Sequence, residues 1–413
     1  MPFSQLGLQA ELTRATASQG YTVPTPIQAQ AVPAILGGRD VLAGAQTGTG
    51  KTAAFTLPML QRLAAGPRGR APRALVLTPT RELAAQVCDS VATYGRHLPL
   101  RTITLFGGVG IHPQKQALKR GVDIVVATPG RLLDHLGQGS IDLGRVEILV
   151  LDEADRMLDM GFIHDIRRIL ARLPAQRQNL MFSATYADGI RALAGEILRD
   201  PVRVEVARQN TAAEKVSQRI LRVDRARKRE LLVHLFRSED WERVLVFART
   251  KRGADRLARQ LDRAGITADA IHGNKTQGAR TRVLREFKRG KLRALVATDI
   301  AARGLDIDRL PQVVNFELPQ VAEDYVHRIG RTGRAGSDGA AWSLVDGEEI
   351  PLLRGIERLL RRRLEAGTVP GFEPRRAAPS APAPPRRARR GMEDRAPRGG
   401  GGSHRPRRAR RTA

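Results

Sequence analysis

Val146-Glu147-Ile148-Leu149-Val150-Leu151, followed by Asp152-Glu153-Ala154-Asp155, is the stretch around which the chain is organised. The nearly unbroken apolar run predicts a strand buried on both faces of a parallel sheet. Three carboxylates then arrive within four residues at its C-terminal end, the edge at which open α/β sheets bind ligands. Crowded carboxylates repel and need a cation or hydrogen-bond donors. A Mg²⁺ ion held by a carboxylate and by nucleotide phosphates answers that need economically.

Outward from this stretch, residues 40–43 predict a short strand running into Ala45-Gln46-Thr47-Gly48-Thr49-Gly50-Lys51-Thr52, with an apolar helix from Ala53. That is a phosphate-binding loop in its strand–loop–helix setting. Glycines let backbone N–H groups turn inward around phosphates, and the helix N-terminus adds positive potential. Lys51 would reach the β/γ-phosphates and the Thr52 hydroxyl would meet Mg²⁺. Ala45 stands where a glycine is usual. Residues 1–30 read as helix, turn, helix, the second helix beginning near Ile27. Pro24 and Pro26 fix the backbone ahead of it. This turn offers Tyr21 as a flat stacking surface and Gln28 as an amide able to pair with an adenine edge.

Four further strand–loop units follow. Strands at 74–77, 102–106, 123–127 and 179–182 lead to Pro79-Thr80-Arg81-Glu82-Leu83, Gly107-Gly108, Thr128-Pro129-Gly130-Arg131 and Ser183-Ala184-Thr185. Alternation with helices implies a parallel sheet with right-handed crossovers. The loops then share one edge and present hydroxyls, glycines and arginines, groups that contact phosphate oxygens. A last short strand is expected at 202–206. Strand–helix alternation restarts with strands at 220–223, 244–247, 268–271, 294–297, 313–316 and 341–345. The second half repeats the layout without a sequence repeat and without a phosphate loop. Its strand ends carry His272-Gly273, Thr298-Asp299, Ala301-Ala302-Arg303-Gly304-Leu305-Asp306 and His327-Arg328-Ile329-Gly330-Arg331-Thr332-Gly333-Arg334. Arg331 and Arg334, three apart, would share a face if helical.

The expected architecture is therefore α/β, with two tandem domains, each a mostly parallel sheet flanked by helices. Domain boundaries are expected at 1–207 and 218–370, joined by a linker over 208–217 and followed by a disordered Arg-rich tail over 371–413.

Composition bounds the function. The chain of 413 residues has a net charge of +28, and of its 70 basic residues only nine are lysine. That charge favours a polyanionic partner. Aromatics make up only 4% of residues, which argues against a base-stacking platform and for gripping of the phosphate–sugar backbone. No apolar window is long enough to cross a membrane, and Met1–Gln5 opens without a signal-peptide pattern. The lone Cys88 allows no internal disulfide and no zinc site; it fits a cytoplasmic location and reads as a small core residue on a helix.

Taken together, Gln28, AQTGTGKT, PTREL, Gly107-Gly108, TPGR, DEAD, SAT, Val246-Phe247 with Thr250, ATDIAARGLDI and HRIGRTGR resemble a DEAD-box ATP-dependent RNA helicase, most nearly its bacterial RhlE-type branch. In that family alanine is normal at the first phosphate-loop position. The resemblance implies two RecA-like domains closing over ATP and single-stranded RNA. It implies that Tyr21 stacks on adenine, that Gln28 reads its edge, and that Ala45, Gln46, Thr47, Gly48, Thr49, Gly50, Lys51 and Thr52 hold ATP. Asp152 would hold Mg²⁺ through water and Glu153 would orient and deprotonate the attacking water, with Asp155 and His327 in the catalytic group. Ser183 and Thr185 would bond to the acidic loop near Asp155 and couple hydrolysis to unwinding. Asp306 would face the ribose, and Arg331 and Arg334 would act as arginine fingers. RNA would lie across Pro79, Thr80, Arg81, Gly108, Thr128, Pro129, Gly130, Arg131, Thr250, Gly273, Thr298 and Gly304. Ribosomal or mRNA-decay assemblies are the candidate partners and a monomer is expected. A noncatalytic RNA scaffold would require a broken phosphate or acidic loop, and a DNA helicase is separated from an RNA helicase by contact to the 2′-OH.

Overall fold

The computed structural model describes residues 2–44, 49–67, 69–205, 216–302, 305, 307, 310–333 and 339–375. Among the described residues fourteen strands form two sheets of seven, and every pairing is parallel. The first contains β1 (Val41–Gly44), β2 (Ala74–Leu77), β3 (Thr102–Leu105), β4 (Ile124–Ala127), β5 (Ile148–Leu151), β6 (Gln178–Ser183) and β7 (Val202–Glu205), in the order β3-β4-β2-β5-β6-β1-β7. The second contains β8 (Val216–Arg222), β9 (Val244–Phe247), β10 (Ala268–Ile271), β11 (Ala294–Ala297), β12 (Gln312–Asn315), β13 (Gly339–Val345) and β14 (Ala366–Gly367), in the order β10-β11-β9-β12-β13-β8-β14. Counted from each sheet's own first strand, the two orders are identical. The repeat expected from the layout is therefore a repeat of topology.

Strand composition explains the layering. In β2, Ala74 and Val76 point into one core while Leu75 and Leu77 point into the other; in β5, Ile148 and Val150 separate from Leu149 and Leu151 in the same way. This is the period-two alternation of a strand with apolar layers on both faces. One layer is built from the helices Pro26–Leu36, Lys51–Ala64 and Arg81–Tyr94, the other from Pro129–Gly137, Ile163–Leu170 and Asp188–Ile197. Cys88 is half-buried against the first layer, as expected, and burial pushes its thiol pKa up. The second sheet buries Trp241 and Trp342 edge to face, with ring centroids 5.3 Å apart.

Several boundaries differ from those expected. β8 begins at Val216, so Val216 and Ser217 belong to the second sheet rather than to the linker expected over 208–217, of which residues 208–215 lie outside the described residues. The core strand β12 ends at Asn315 rather than at residue 316. Structure also continues past residue 370. Phe372 packs on the second core, where the Arg227 guanidinium lies 4.7 Å from its ring centroid and His234 lies 5.4 Å away. The tail from 376 onward lies outside the described residues. At the other end, a short 3-10 turn, Phe3–Leu6, precedes the helix Ala10–Ala17.

Candidate active site

Strand order sets the site. β6 lies between β1 and β5, with Gly44 level with Ser183 and Leu151 level with Met181. Neighbouring strands are about 4.8 Å apart, so Gly44, the Ser183-Ala184-Thr185 loop and the acidic loop stand side by side at one edge.

Lys51 opens the helix after β1 and is buried at 6% exposure, yet its Nζ has no hydrogen-bond partner among the described residues. A buried ammonium without an acceptor is costly, and an anion is the complement this position lacks. Gly50 has φ +93°, and a Cβ there would lie 2.4 Å from Gln28 Nε2, so only glycine fits. Thr52 follows in the first helical turn, Thr49 stands ahead of Gly50, and Ala45, Gln46, Thr47 and Gly48 lie outside the described residues.

Gln28 is buried in a capping box: its Oε1 accepts from Thr25 N at 2.9 Å and its Nε2 donates to the Gly50 carbonyl at 3.1 Å. An amide side chain has a second lone pair and a second N–H, so one acceptor and one donor remain for a ligand. Tyr21 is 42% exposed and stacks on Phe3, with centroids 6.4 Å apart.

At the end of β5, Asp152 is buried and its carboxyl pKa is pushed up to about 7. Burial is the main cause; Glu153 and Asp155 add to it, while Lys51 and the Glu153 backbone N–H oppose it. Glu153 sits in the left-handed region at φ 52°, ψ 51°, a conformation that costs a non-glycine residue about 1–3 kcal/mol. Its buried Oε2 has no hydrogen-bond partner among the described residues, and Arg156 Nε lies 3.8 Å from it. Among the described residues no group of three or more His, Cys, Asp or Glu could hold a metal by itself. A cation here would therefore depend on Asp152, Thr52 and phosphate oxygens, and the buried, reluctantly ionised Asp152 suits such a cation.

The link between the acidic loop and the 183–185 loop differs from expectation. Asp155 Oδ2 accepts from the Ala184 backbone N–H at 3.1 Å. The Ser183 hydroxyl instead donates to the Thr185 carbonyl at 2.7 Å. A side chain in the tight turn closes the turn itself and leaves the backbone N–H to reach outward.

On the same edge, the Thr80 hydroxyl caps the helix Arg81–Tyr94, accepting from Leu83 N at 3.3 Å. Thr250 does the same for Lys251–Arg263, accepting from Gly253 N at 3.0 Å. Thr128 precedes the helix Pro129–Gly137 and Thr298 precedes Asp299–Ala302. Four helix N-termini thus emerge at strand ends, two on each domain, each a site of positive potential. Gly108, Gly130 and Gly273 are exposed, while Pro79 and Pro129 are buried. Gly108 has φ +78°, and a Cβ there would lie 2.0 Å from Arg81 Nη1. Burial lowers the Arg81 pKa, Glu82 opposes, and Arg280 and Arg131 add. Arg131 is engaged by protein: Nη1 donates to Gln114 Oε1 at 3.3 Å and Nη2 to the Val109 carbonyl at 3.1 Å, leaving the side chain 10% exposed.

In the second domain the helix Ala322–Ile329 ends before Arg331. Arg331 lies off that helix, in the turn beside the Leu310–Thr332 bridge; the face it was expected to share with Arg334 falls on a residue outside the described residues. Arg331 is 5% exposed and its Nη1 donates to the Leu305 carbonyl at 2.9 Å. His327 is half-buried on the helix itself. Arg334, Gly304 and Asp306 lie outside the described residues. The third arginine of this motif, Arg328, holds Asp299 through two bonds of 2.6 and 2.7 Å.

Three arrangements escaped the sequence reading: Arg328 with Asp299, the His135–Gln114 pair behind Arg131, and a contact between the domains. In the last, Arg280 Nε donates to Glu82 Oε1 at 2.7 Å. Glu82 stands inside the PTREL motif, in the first turn of the helix Arg81–Tyr94, but nothing local marks its partner.

Fold and site define a two-domain phosphate-loop ATPase with a basic, glycine-rich strand edge. Comparison with known proteins gives the family. The DEAD/DEAH box helicase model matches residues 25–193 and the helicase conserved C-terminal domain model matches residues 227–336. The DEAD-box ATP-dependent RNA helicase CshA of Geobacillus kaustophilus is 45% identical over 371 residues, covering 90% of this chain and 79% of the relative. The ATP-dependent RNA helicase DeaD of Escherichia coli K12 is 44% identical over 372 residues, covering 90% of this chain and 59% of the relative. S. cerevisiae Dbp5 bound to RNA and ADP BeF3 superposes with a TM-score of 0.77 at 31% identity, covering 90% of this chain and 95% of that one. Mss116p bound to ssRNA and AMP-PNP gives 0.79 at 28% identity, covering 89% and 78%. The chain belongs to the DEAD-box helicase family. These relatives establish the family and do not bear on the RhlE-type branch. Among the described residues no helix is long and apolar enough to cross a membrane.

Proposed function

We propose that the chain hydrolyses ATP to ADP and phosphate when RNA is bound, and that closure of its two domains on one RNA strand separates short duplexes or remodels RNA–protein complexes. The carrying observation is the buried Lys51 ammonium, without a hydrogen-bond partner among the described residues, acting electrostatically on the buried Asp152 carboxyl. This pair has the polarity of a nucleotide phosphate site: a cation for the phosphates and a carboxyl that gains from a metal.

Lys51 binds the β/γ-phosphates, aided by N–H groups of the loop before it. Tyr21 and Gln28 select the base. A Mg²⁺ ion bound with the nucleotide would neutralise phosphate charge, held by Thr52 and, partly through water, by Asp152. Glu153, fixed in a strained backbone at the end of β5 and with an Oε2 that has no hydrogen-bond partner among the described residues, takes the proton of the attacking water. Arg331 and Arg334 stabilise charge on the γ-phosphoryl group. The helix N-termini at Thr80, Thr128, Thr250 and Thr298, with Arg81, Gly108, Gly130 and Gly273, grip phosphates of the RNA backbone. The Ala184 N–H bond to Asp155 connects the hydrolytic loop to β6. A monomer acting in the cytoplasm, in the RhlE-type branch and on ribosomal or mRNA-decay assemblies, belongs to the same reading; the single cysteine suits a reducing compartment.

The test is ATP turnover with matched RNA and DNA strands. RNA should stimulate and DNA should not. Equal stimulation by both overturns the RNA reading, and stimulation by neither overturns the coupling of hydrolysis to nucleic acid.

A further inference from the structure

His135 is wholly buried on the helix Pro129–Gly137, and both ring nitrogens meet polar side chains. Nε2 lies 3.0 Å from Gln114 Oε1 and Nδ1 lies 2.7 Å from Ser140 Oγ. Gln114 is itself 7% exposed. Its Nε2 donates to the Phe106 carbonyl at 3.1 Å, and its Oε1 also accepts from Arg131 Nη1. Those two partners fix which way the amide points, because a carbonyl needs the amide N–H and a guanidinium needs the amide oxygen. The imidazole must therefore present N–H at Nε2; on its other side the Ser140 hydroxyl lies 2.7 Å from Nδ1 and also donates to the His135 carbonyl at 3.1 Å. Burial lowers the His135 pKa, Arg131 and Lys115 add to this, and Asp134 opposes.

The amide holds the carbonyl just before Gly107-Gly108, and the arginine it orients holds the Val109 carbonyl just after them. The 107–109 loop is thus tied at both ends to one buried glutamine, and His135 is that glutamine's backing. A histidine that only filled space would leave its nitrogens to backbone or water. Here Nε2 meets the side chain that spans to the loop.

We propose that His135 is a positioning residue for RNA: through Gln114 it sets the place of Arg131 and the 107–109 loop on the RNA-gripping edge. This rests on the RNA track described under the proposed function.

The experiment measures the RNA concentration for half-maximal ATPase stimulation of the full chain, beside the KM for ATP and thermal melting. His135→Phe should raise the RNA half-saturation about fivefold, the loss of one net hydrogen bond. It should leave KM for ATP and turnover at saturating RNA within about twofold. His135→Gln, which can present an amide N–H near the Nε2 position, should recover most of the loss. Gln114→Leu should cost at least as much, and adding His135→Phe to it should cost nothing more. Should His135→Phe fail to fold, Gln114→Leu with and without His135→Gln carries the same comparison. Unchanged RNA half-saturation, additive losses, or equal rises for RNA and ATP overturn the proposal. Arg81→Ala separates the two readings. If it too leaves RNA half-saturation unchanged, the RNA track is wrong; if it weakens RNA while His135→Phe does not, only the positioning role is wrong.

Discussion

Glu82 and Arg280, 198 positions apart, form a nearly buried ion pair between the domains, with Nε to Oε1 at 2.7 Å and side chains 7% and 8% exposed. Gln277 Nε2 donates to the same oxygen at 3.2 Å. Glu82 lies on the helix that follows Thr80, and Arg280 on the helix that follows His272-Gly273. The joint therefore lies beside the loops assigned to RNA. Breaking one side of a buried pair costs about 3–5 kcal/mol when the other charge stays buried. Separation of the domains would rehydrate Glu82, so the cost should appear as impaired closure. Arg280→Ala should cut RNA-stimulated turnover at least about tenfold. A double-mutant cycle with Glu82→Ala should give a coupling of about 1–3 kcal/mol. Additive losses would show that the pair does not act as a unit.

The Gln28 amide spans from the Pro24–Pro26 turn to the last residue before Lys51. Gln28→Ala removes the bond to the Gly50 carbonyl along with the groups left for adenine, each worth roughly 1 kcal/mol net. It should raise the KM for ATP and weaken discrimination between ATP and GTP. Gly50→Ala should be worse, because the backbone there is left-handed and the new Cβ meets Gln28 Nε2. Wild-type kinetics with both nucleotides in Gln28→Ala would remove Gln28 from base recognition.

How far the chain could be read in advance depended on the range of each interaction. β2, β5 and β9 were legible because a buried parallel strand needs a continuous apolar run, a local property. The acidic loop was legible because charge is written within a few residues, whereas residues 45–48 of the phosphate loop lie outside the described residues. β14 was not: Ala366 and Gly367 are exposed and apolar patterning is absent, so only pairing with β8 makes them a strand. Phe372 looked like part of the tail because Arg227 and His234, which hold it, are far away in sequence. Nothing in the sequence around Arg280 marks it, since its burial comes from the other domain. At 183–185 the right loop was found with the wrong donor, because hydroxyls draw attention that the Ala184 N–H does not.

Asp152 makes stability depend on pH. Its folded pKa of about 7 lies above the usual carboxylate value of 3.8. Below about pH 4 the group is protonated in both states and carries no penalty. Between about pH 4 and 7 the unfolded chain ionises while the folded protein holds its proton, so stability falls as pH rises through this window. Asp152→Asn removes the cost. In nucleotide-free, metal-free protein the variant should gain over wild type by a few kcal/mol at about pH 8 relative to about pH 5, since each tenfold difference in proton affinity between the two states is worth about 1.4 kcal/mol. Denaturant melts at both values check this; a constant difference would mean that Asp152 is ordinarily ionised.

Deleting the basic tail should change affinity and leave the chemistry alone. The cut belongs at 376, because Gly371 and Phe372 are held by Arg227, whose Nη1 donates to the Gly371 carbonyl at 2.7 Å. Arginines on phosphates release counterions, so their contribution falls steeply with salt. Removing residues 376–413 should weaken RNA binding and flatten its salt dependence, with turnover at saturating RNA nearly unchanged. An unaltered salt slope would leave the tail without an RNA contact.

Arg331 carries the sharpest expectation. Lys51 and Glu153 belong to the first domain and Arg331 to the second, so ATP can bind largely to one half while the transition state needs both. Charge spreads over the equatorial oxygens of the transferring γ-phosphoryl group, and a guanidinium stabilises it with fixed donors that remain ionised. The Leu305 carbonyl takes Nη1 at 2.9 Å, which orients the fork at little entropic cost. Arginine fingers contribute about 10³–10⁵ in turnover. Arg331→Ala should leave ATP affinity without RNA within about threefold and cut RNA-stimulated hydrolysis by at least about 10²-fold. Arg334→Ala should behave likewise. Arg331→Lys should recover only part, since an ammonium is a point charge that cannot hold both Leu305 and a phosphoryl oxygen in one plane. Thermal melting separates loss of the Leu305 bond from loss of catalysis. The deciding data are nucleotide titration of the free protein and single-turnover hydrolysis with RNA. Normal hydrolysis with impaired RNA binding would assign Arg331 to the RNA track, and ATP binding lost in step with hydrolysis would make it a ground-state ligand.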